Sequence, residues 1–223
     1  MRTSTYAVEV ARRFREVNGE HPMTAADDAY VSAQFTPLES LCAARGRDVV
    51  EARRQMLDGL LPLPGYLRSD GAEMVPRDLF DLAARAGGPE RLRGWFVAHW
   101  EDPAEGVAEW EAYLSGQYVC LHRVAPDTIR RKGELTAAIT DAVGSPRPDA
   151  PLWTAALHAL VDELDALEPE FAPYDRLRFG GPTSRDTCVD AVRARFPRPA
   201  GASAGGDALS RRRRRRGAGA RGR

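Results

Sequence analysis

The chain has 223 residues, 43% of them hydrophobic, which suits one medium domain or two small ones with a real core. No apolar run approaches the ~20 residues needed to span a bilayer, and the first residues lack the apolar segment of a secretion signal, so we expect no membrane association and a cytoplasmic location. The net charge of zero hides an asymmetry, because eight arginines lie after residue 200. The first 200 residues contain 24 basic and 31 acidic residues, and this negative charge disfavours nucleic acid as a partner.

Cysteine and histidine usage argues against a metal or disulfide framework. Cys42, Cys120 and Cys188 are widely spaced and form no CxxC pair, which is typical of reduced thiols. No two histidines have metal-ligand spacing on one helix. We therefore expect no metal ion and no cofactor.

The first predicted elements lie before residue 47. Residues 1–22 are expected to be either an extra helix or a disordered leader, ahead of a unit over residues 23–76. A helix is predicted to begin at Thr36, with Pro37 at its first position and Glu39 closing a capping box. Gly46 is expected to end it.

A second helix and a hairpin follow. Asp48 is predicted to cap a helix, with Glu51 completing an acidic version of the capping box and Gly59 ending it. The short apolar runs 66–68 and 72–75 flank Ser69-Asp70-Gly71, and an Asp-Gly between two such runs indicates a β-hairpin.

From residue 77 onward the apolar period is helical. Successive stripes predict helices over about 79–86, 92–99, 103–121, 126–143, 152–167 and 183–196. The predicted fold is therefore mainly α, with a winged helix-turn-helix-like unit and one small hairpin followed by a helical bundle over 77–199. The Gly/Ala/Arg-rich tail, 200–223, is expected to be disordered, and its six consecutive arginines are either a phosphate-binding segment or a passive extension.

Residues 36–68 resemble the DNA-binding domain of the MerR and excisionase group. The likeness consists of a short helix, a glycine-containing turn, an arginine in the second helix, the phrase GLLPLP, and a Tyr-x-Arg at the start of the wing. On that match Arg53 takes the place of the family's second-helix arginine, Arg54 adjoins it, and Tyr66 and Arg68 fall in the wing. The resemblance implies a transcriptional regulator in which these four residues contact DNA.

Charge in this segment favours another role. Five arginines face six acidic residues, and the solvent face of the second helix carries Asp48, Glu51 and Asp58. Three carboxylates on a recognition helix would repel phosphates. Arg53 projects onto the apolar side, where a snorkelling or paired arginine is the alternative interpretation. We therefore favour a scaffold or partner-binding surface over a DNA reader.

A second candidate site is the segment FAPYDRLRFGGPTSRD, residues 171–186. Two glycines before a helix start can leave amides free for a phosphate or carboxylate. The residues that would form this anion site are Arg176, Arg178, Gly180, Gly181, Thr183, Ser184 and Arg185. The alternative is a turn at the glycines, with Thr183 or Ser184 capping the following helix.

The only lysine in the chain, Lys132, is a third candidate. It shares one side of a predicted helix with Ile129, Leu135 and Ile139. A desolvated lysine has a lowered pKa and can act as a nucleophile or base. The alternative is a lysine that snorkels or pairs with a carboxylate.

Over residues 30 to 197 the chain resembles an actinobacterial family of unknown function whose members are labelled natural-product biosynthesis proteins. The phrases that carry the likeness are PLPGYLRSDGAEMVPRDLFDLAARAGG, EWEAYLSGQYVCL and FAPYDRLRFGGPTSRD. The resemblance implies a cytoplasmic accessory role in a secondary-metabolite pathway and carries no catalytic residues with it.

Three functions follow as hypotheses. The first is an accessory protein that binds a pathway intermediate, or a carrier or partner protein, in a pocket between the winged unit and the C-terminal helices. The second is a MerR-like regulator. The third is an enzyme of the same pathway that uses Lys132 or the cluster of Arg176, Arg178 and Arg185.

Overall fold

The computed structural model describes residues 2–198, with side chains from Thr5 onward. Its helices are α1 (Arg2–Asn18), α2 (Ala25–Gln34), α3 (Leu38–Ala44), α4 (Val49–Leu57), α5 (Asp81–Ala86), α6 (Pro89–Val97), α7 (Pro103–Leu114), α8 (Pro126–Gly144), α9 (Pro151–Leu167), α10 (Pro173–Phe179) and α11 (Ala191–Arg195). The strands are β1 (Thr36–Pro37), β2 (Tyr66–Leu67) and β3 (Glu73–Val75). The prediction of a mainly α fold with a small hairpin is confirmed, and the predicted disordered tail lies outside the described residues.

The N-terminal residues form a helix, which is one of the two expected alternatives. Val10 and Phe14 of α1 are buried, so this helix is part of the fold. Helix α2 begins with a capping box in which Thr24 and Asp27 satisfy each other's backbone amides. No helix among residues 2–198 combines the length and apolarity that a bilayer crossing requires.

The predicted start of the next helix at Thr36 is wrong. Thr36 and Pro37 pair with Val75 and Met74 as strand β1, and α3 begins only at Leu38, without a side-chain cap. Glu39 therefore closes no capping box, and its carboxylate accepts a hydrogen bond from Arg53 instead. A pairing with a strand almost forty residues away outweighed the local capping signal.

The second helix and the wing follow the prediction more closely. The Asp48 carboxylate accepts a hydrogen bond from the amide of Val50 at the start of α4. The Glu51 carboxylate is bonded to Arg54 and Gln55 rather than to the helix start. Strands β2 and β3 form the expected antiparallel hairpin, and β1 adds a third strand in the order β1-β3-β2.

Most helices after residue 77 match the predicted stripes, but α10 has no counterpart among them, and the stripe over 183–196 forms a π-helical segment before α11. Prolines occupy the first turn of α6, α7, α8, α9 and α10, where a missing amide costs nothing. The predicted helix over 103–121 ends at Leu114, because Gly116 adopts a φ of +76°. A short 3₁₀ helix, Tyr118–Cys120, follows this break.

Among the described residues, the buried apolar side chains form three clusters. The largest joins α3, α4 and the segment 61–63 to α5, α6 and α7, and so includes residues from both sides of the predicted boundary at residue 76. The second lies between α8, α9 and the last helices, and the third joins the sheet to α2 and α10. The division into a winged unit and a helical domain stays a prediction.

Candidate functional site

A cavity of about 270 Å³ opens among α7, α8, α10 and the segments that connect them. The side chains around it are Ala112, Gln117, Tyr118, Cys120, Lys132, Phe171, Phe179, Thr183 and Ser184. Three of the sequence-predicted site residues therefore meet here, although Lys132 and the Thr183-Ser184 pair lie some fifty residues apart in the chain.

Lys132 is the central polar group of this cavity. Its ammonium lies 3.0 Å from the Sγ atom of Cys120 and 2.9 Å from the Oε1 atom of Glu168. Glu168 is 1% exposed, whereas one fifth of the Lys132 side chain remains accessible. The lysine therefore stands between a buried carboxylate behind it and a thiol at the cavity wall.

Ser184 completes the support of Glu168. Its hydroxyl donates a hydrogen bond to the same Oε1 atom that Lys132 contacts. The second carboxylate oxygen of Glu168, Oε2, is buried and has no hydrogen-bond partner among the described residues. Buried polar atoms in proteins are nearly always hydrogen-bonded, so an acceptor oxygen left free here is uncommon.

The pKa of Lys132 is raised, whereas the interpretation of this lysine as a nucleophile or base required a lowered pKa. Burial acts to lower the pKa of the ammonium, but the neighbouring Cys120 and Glu168 outweigh burial and raise it above its ordinary value. Burial also raises the pKa of the Cys120 thiol, and Lys132 opposes that rise without cancelling it. At neutral pH the site therefore contains an ammonium and a thiol, and Lys132 is not a free amine.

The backbone next to Ser184 has an uncommon form. Residues Arg185–Asp190 form a π-helical segment that continues into α11. Such segments are rare and occur often at functional sites. Thr183 caps this segment together with Asp186, whose carboxylate accepts from the Thr183 amide at 2.8 Å. The capping alternative for Thr183 is thus present alongside its place on the cavity wall.

The three arginines of the predicted anion site do not converge. Arg176 pairs with Asp186 at 2.6 Å, and Arg185 pairs with Asp165 at 2.6 Å. Arg178 points to the other side of α10, where it donates hydrogen bonds to the backbone oxygens of Gly65 and Gly116 and to Asn18. Burial lowers the pKa of Arg178. Its contacts fasten α10 to the wing, so this residue serves the fold.

The two glycines of that segment are placed as the turn alternative requires. Gly180 adopts a φ of +70° and ends α10 in the left-handed region that favours glycine. Gly181 follows it, exposed, before the residues that cap the π-helical segment. Neither glycine lines the cavity.

The four residues matched to a DNA-binding role do not form an open basic face. Arg53 is 4% exposed and makes two ion pairs, with Glu73 at 2.7 Å and Glu39 at 2.9 Å. Tyr66 is fully buried, and its hydroxyl donates to Asp175 at 2.7 Å. The remaining two are already paired with carboxylates: exposed Arg54 with Glu51 and Asp58, and half-buried Arg68 with Asp70. Arg53 and Tyr66 are therefore not placed to contact DNA.

Two other cavities lie where the winged unit meets the later helices. One, between Pro62 and Tyr113, measures about 30 Å³, roughly the share of one water molecule in the liquid. The second, of about 270 Å³, is lined by exposed Arg77, His122 and Arg123. Neither contains a thiol or a lysine, and the expected binding pocket between the two units stays a prediction.

Sequence reasoning missed most of the residues that define this cavity. The sequence indicates only a reduced thiol at Cys120 and gives no separate signal at Glu168. Among residues 2–198, no three His, Cys, Asp or Glu side chains are grouped as metal ligands. The signal that could have found Glu168 is the lone lysine itself, since a buried ammonium requires a carboxylate partner.

Part of the chain is similar to one described protein family. Residues 93–197 match the model of a family of unknown function (DUF6058). This region contains Cys120, Lys132, Glu168 and Ser184, so the whole polar cluster lies inside the matched part. No curated protein and no solved structure gives a significant match to the chain.

Proposed function

We propose that this protein binds a compact organic molecule in the cavity at Lys132, as a cytoplasmic accessory protein of a natural-product pathway. The observation that carries the binding proposal is the cavity itself, with Lys132 as its charged group and Phe171 and Phe179 in its wall. The pathway assignment is supported by the sequence resemblance to natural-product biosynthesis proteins.

The lining indicates the chemistry of the molecule. None of the nine side chains around the cavity is acidic, whereas Lys132 contributes a positive charge and the Gln117 amide contributes hydrogen-bond donors. The aromatic rings of Phe171 and Phe179 suit an apolar body. The best-fitting molecule therefore has an apolar body of modest size and a carboxylate or carbonyl oxygen that faces the ammonium.

The mouth of the cavity also suits a carrier or partner protein that delivers such a molecule. Phe179 lines the cavity and is 39% exposed. Aromatic side chains are enriched on surfaces that partner proteins cover. A pathway intermediate attached to a carrier is therefore an alternative form of the same ligand.

Calorimetry with cinnamate and octanoate tests the binding proposal. Both are carboxylates with an apolar body, and we expect saturable binding of one molecule per chain. Ala112→Trp places an indole in the cavity and should abolish binding. Ala108→Trp, the same change one turn earlier on α7 at an exposed position outside the cavity, should leave it intact. Equal binding by both variants, or no binding by the unmodified protein, would refute the proposal.

A further inference from the structure

The three cysteines of the chain lie in different environments. Cys42 and Cys188 are buried within hydrophobic clusters, with 1% and 4% of their surface exposed. Cys120 is partly accessible and lines the cavity. A thiol must be reachable to react, so Cys120 is the one of these three that a bound molecule can meet.

One neighbour of Cys120 favours the nucleophilic thiolate form of its sulfur. An ammonium 3.0 Å from a sulfur atom stabilises the thiolate relative to the thiol, because the opposite charges attract in a partly dry site. The same ammonium is held from behind by a buried carboxylate at 2.9 Å. Thiol, ammonium and carboxylate thus form a contiguous chain of hydrogen-bonding groups that leads from the cavity into the fold.

We propose that Cys120 is a catalytic nucleophile that accepts an acyl group from a thioester bound in the cavity. This inference rests on the proposed function, since the thioester must first occupy the cavity as a small-molecule ligand. A thioester is the acyl donor that suits this thiol, because exchange of one thioester for another is close to balanced in free energy. The apolar wall of the cavity would hold the acyl chain.

The step is balanced in atoms and charge. Lys132 first passes one of its protons to Glu168, and the resulting amine takes the proton of the Cys120 thiol, which gives a thiolate, an ammonium and a neutral carboxyl. The thiolate attacks the carbonyl carbon, a new C–S bond forms, and the C–S bond to the leaving thiolate breaks. The leaving thiolate then takes the proton back by the same route. Hydrolysis of the acyl-cysteine by water returns the thiol and releases a carboxylic acid.

Lys132 and Glu168 have separate tasks. Lys132 lines the cavity and can donate to the carbonyl oxygen as negative charge develops there, which makes it a catalytic residue. Glu168 does not line the cavity and acts through Lys132, so it is a positioning residue that also receives the proton. Ser184 fixes the Glu168 oxygen that faces Lys132.

The test is acylation of the full-length protein by the acetyl thioester of N-acetylcysteamine, followed by intact mass and peptide mapping. We expect one acetyl group on Cys120 and none on Cys42 or Cys188. Cys120→Ser and Cys120→Ala should lose the label, and Cys188→Ala should keep it. Lys132→Gln, whose amide can still bond to Glu168, should acylate about 100-fold more slowly, as is typical when one donor to a developing oxyanion is removed.

The positioning role of Glu168 has its own readout. Glu168→Gln should acylate slowly near neutral pH and approach the unmodified rate at an alkaline pH above the raised pKa of the Cys120 thiol, where hydroxide deprotonates the thiol without help. A loss that is the same at both pH values would show that Glu168 supports only the structure and would overturn its role.

Further outcomes separate this inference from the proposed function. Cinnamate binding by Cys120→Ser, together with an unlabelled unmodified protein, would overturn the nucleophile and leave the binding proposal standing. Label on Lys132 alone, or spread over all three cysteines, would also overturn it. Loss of both cinnamate binding and labelling would remove both proposals.

Discussion

The buried ion pair between Arg53 and Glu73 gives the most decisive test of how the wing is held. Arg53 lies on α4 and Glu73 on β3, and both are almost completely buried. The Nε atom of Arg53 donates to both carboxylate oxygens at 3.0 Å, and Nη2 donates to one of them at 2.7 Å. Replacing Arg53 by methionine keeps the apolar stem and leaves the Glu73 carboxylate buried without its main partner.

The cost of Arg53→Met follows from that unpaired charge. Breaking one side of a buried pair typically destabilises a protein by about 3 to 5 kcal/mol. With a urea dependence of about 2 kcal/mol per molar, the unfolding midpoint should fall by roughly 2 M. The double variant Arg53→Met/Glu73→Leu should recover most of this loss, because it removes both charges together.

The matched control is Arg54→Met at the next position of the same helix. Arg54 is half exposed and paired with Glu51 and Asp58, so solvent replaces its partners and the midpoint should stay nearly unchanged. Urea unfolding followed by circular dichroism measures all three variants. If Arg53→Met unfolds at the same urea concentration as the unmodified protein, the pair does not hold the wing and the reasoning is wrong.

Two further predictions concern the backbone near the cavity and the pH dependence of stability. Gly116→Ala should destabilise the protein by more than about 2 kcal/mol in urea unfolding, because the added Cβ would lie 2.5 Å from the Pro64 oxygen and the residue has a φ of +76°. The control is Gly71→Ala, which has a φ of +84° but open space around the added Cβ and should cost only about 1 kcal/mol. Equal losses of stability in the two variants would contradict the close approach at Gly116. Burial, with a contribution from Arg198, lowers the pKa of His158 in the folded protein. As the pH falls below about 6.5, the unfolded chain therefore takes up a proton on this histidine before the folded protein does, and the free energy of unfolding decreases. His158→Phe should lose less stability than the unmodified protein between about pH 7.5 and 5.5, and parallel losses would exclude this histidine as the cause.

Several elements could be predicted because their causes lie within a few residues of one another. Asp48 caps α4 through its own side chain, and an Asp-Gly pair turns the hairpin. The prolines at the starts of the later helices act in the same local way. Strand β1 could not be predicted, because Thr36 is extended only through its pairing with Val75. The break at Gly116 likewise depends on the backbone of residues 63 and 64, which pack against it.

In the segment that resembles a DNA-binding unit, the sequence likewise shows some features, and only the fold decides the others. The charge of the segment already disfavoured a recognition helix, and the paired-arginine alternative for Arg53 matches its two ion pairs. The sequence could not identify Glu73 as the main partner. That contact requires α4 to pack on β3, twenty residues further along the chain.

For the candidate site, the sequence by itself determined that a single lysine, Lys132, lies on the apolar side of a helix and that a capped helix start includes Ser184. Only the tertiary structure brought Lys132 to Cys120, twelve residues before it, and to Glu168, thirty-six residues after it. Periodicity shows which side chains face inward, but not which of them meet. That choice is made when α8, α9 and the C-terminal segment pack together and the buried ammonium must find a carboxylate.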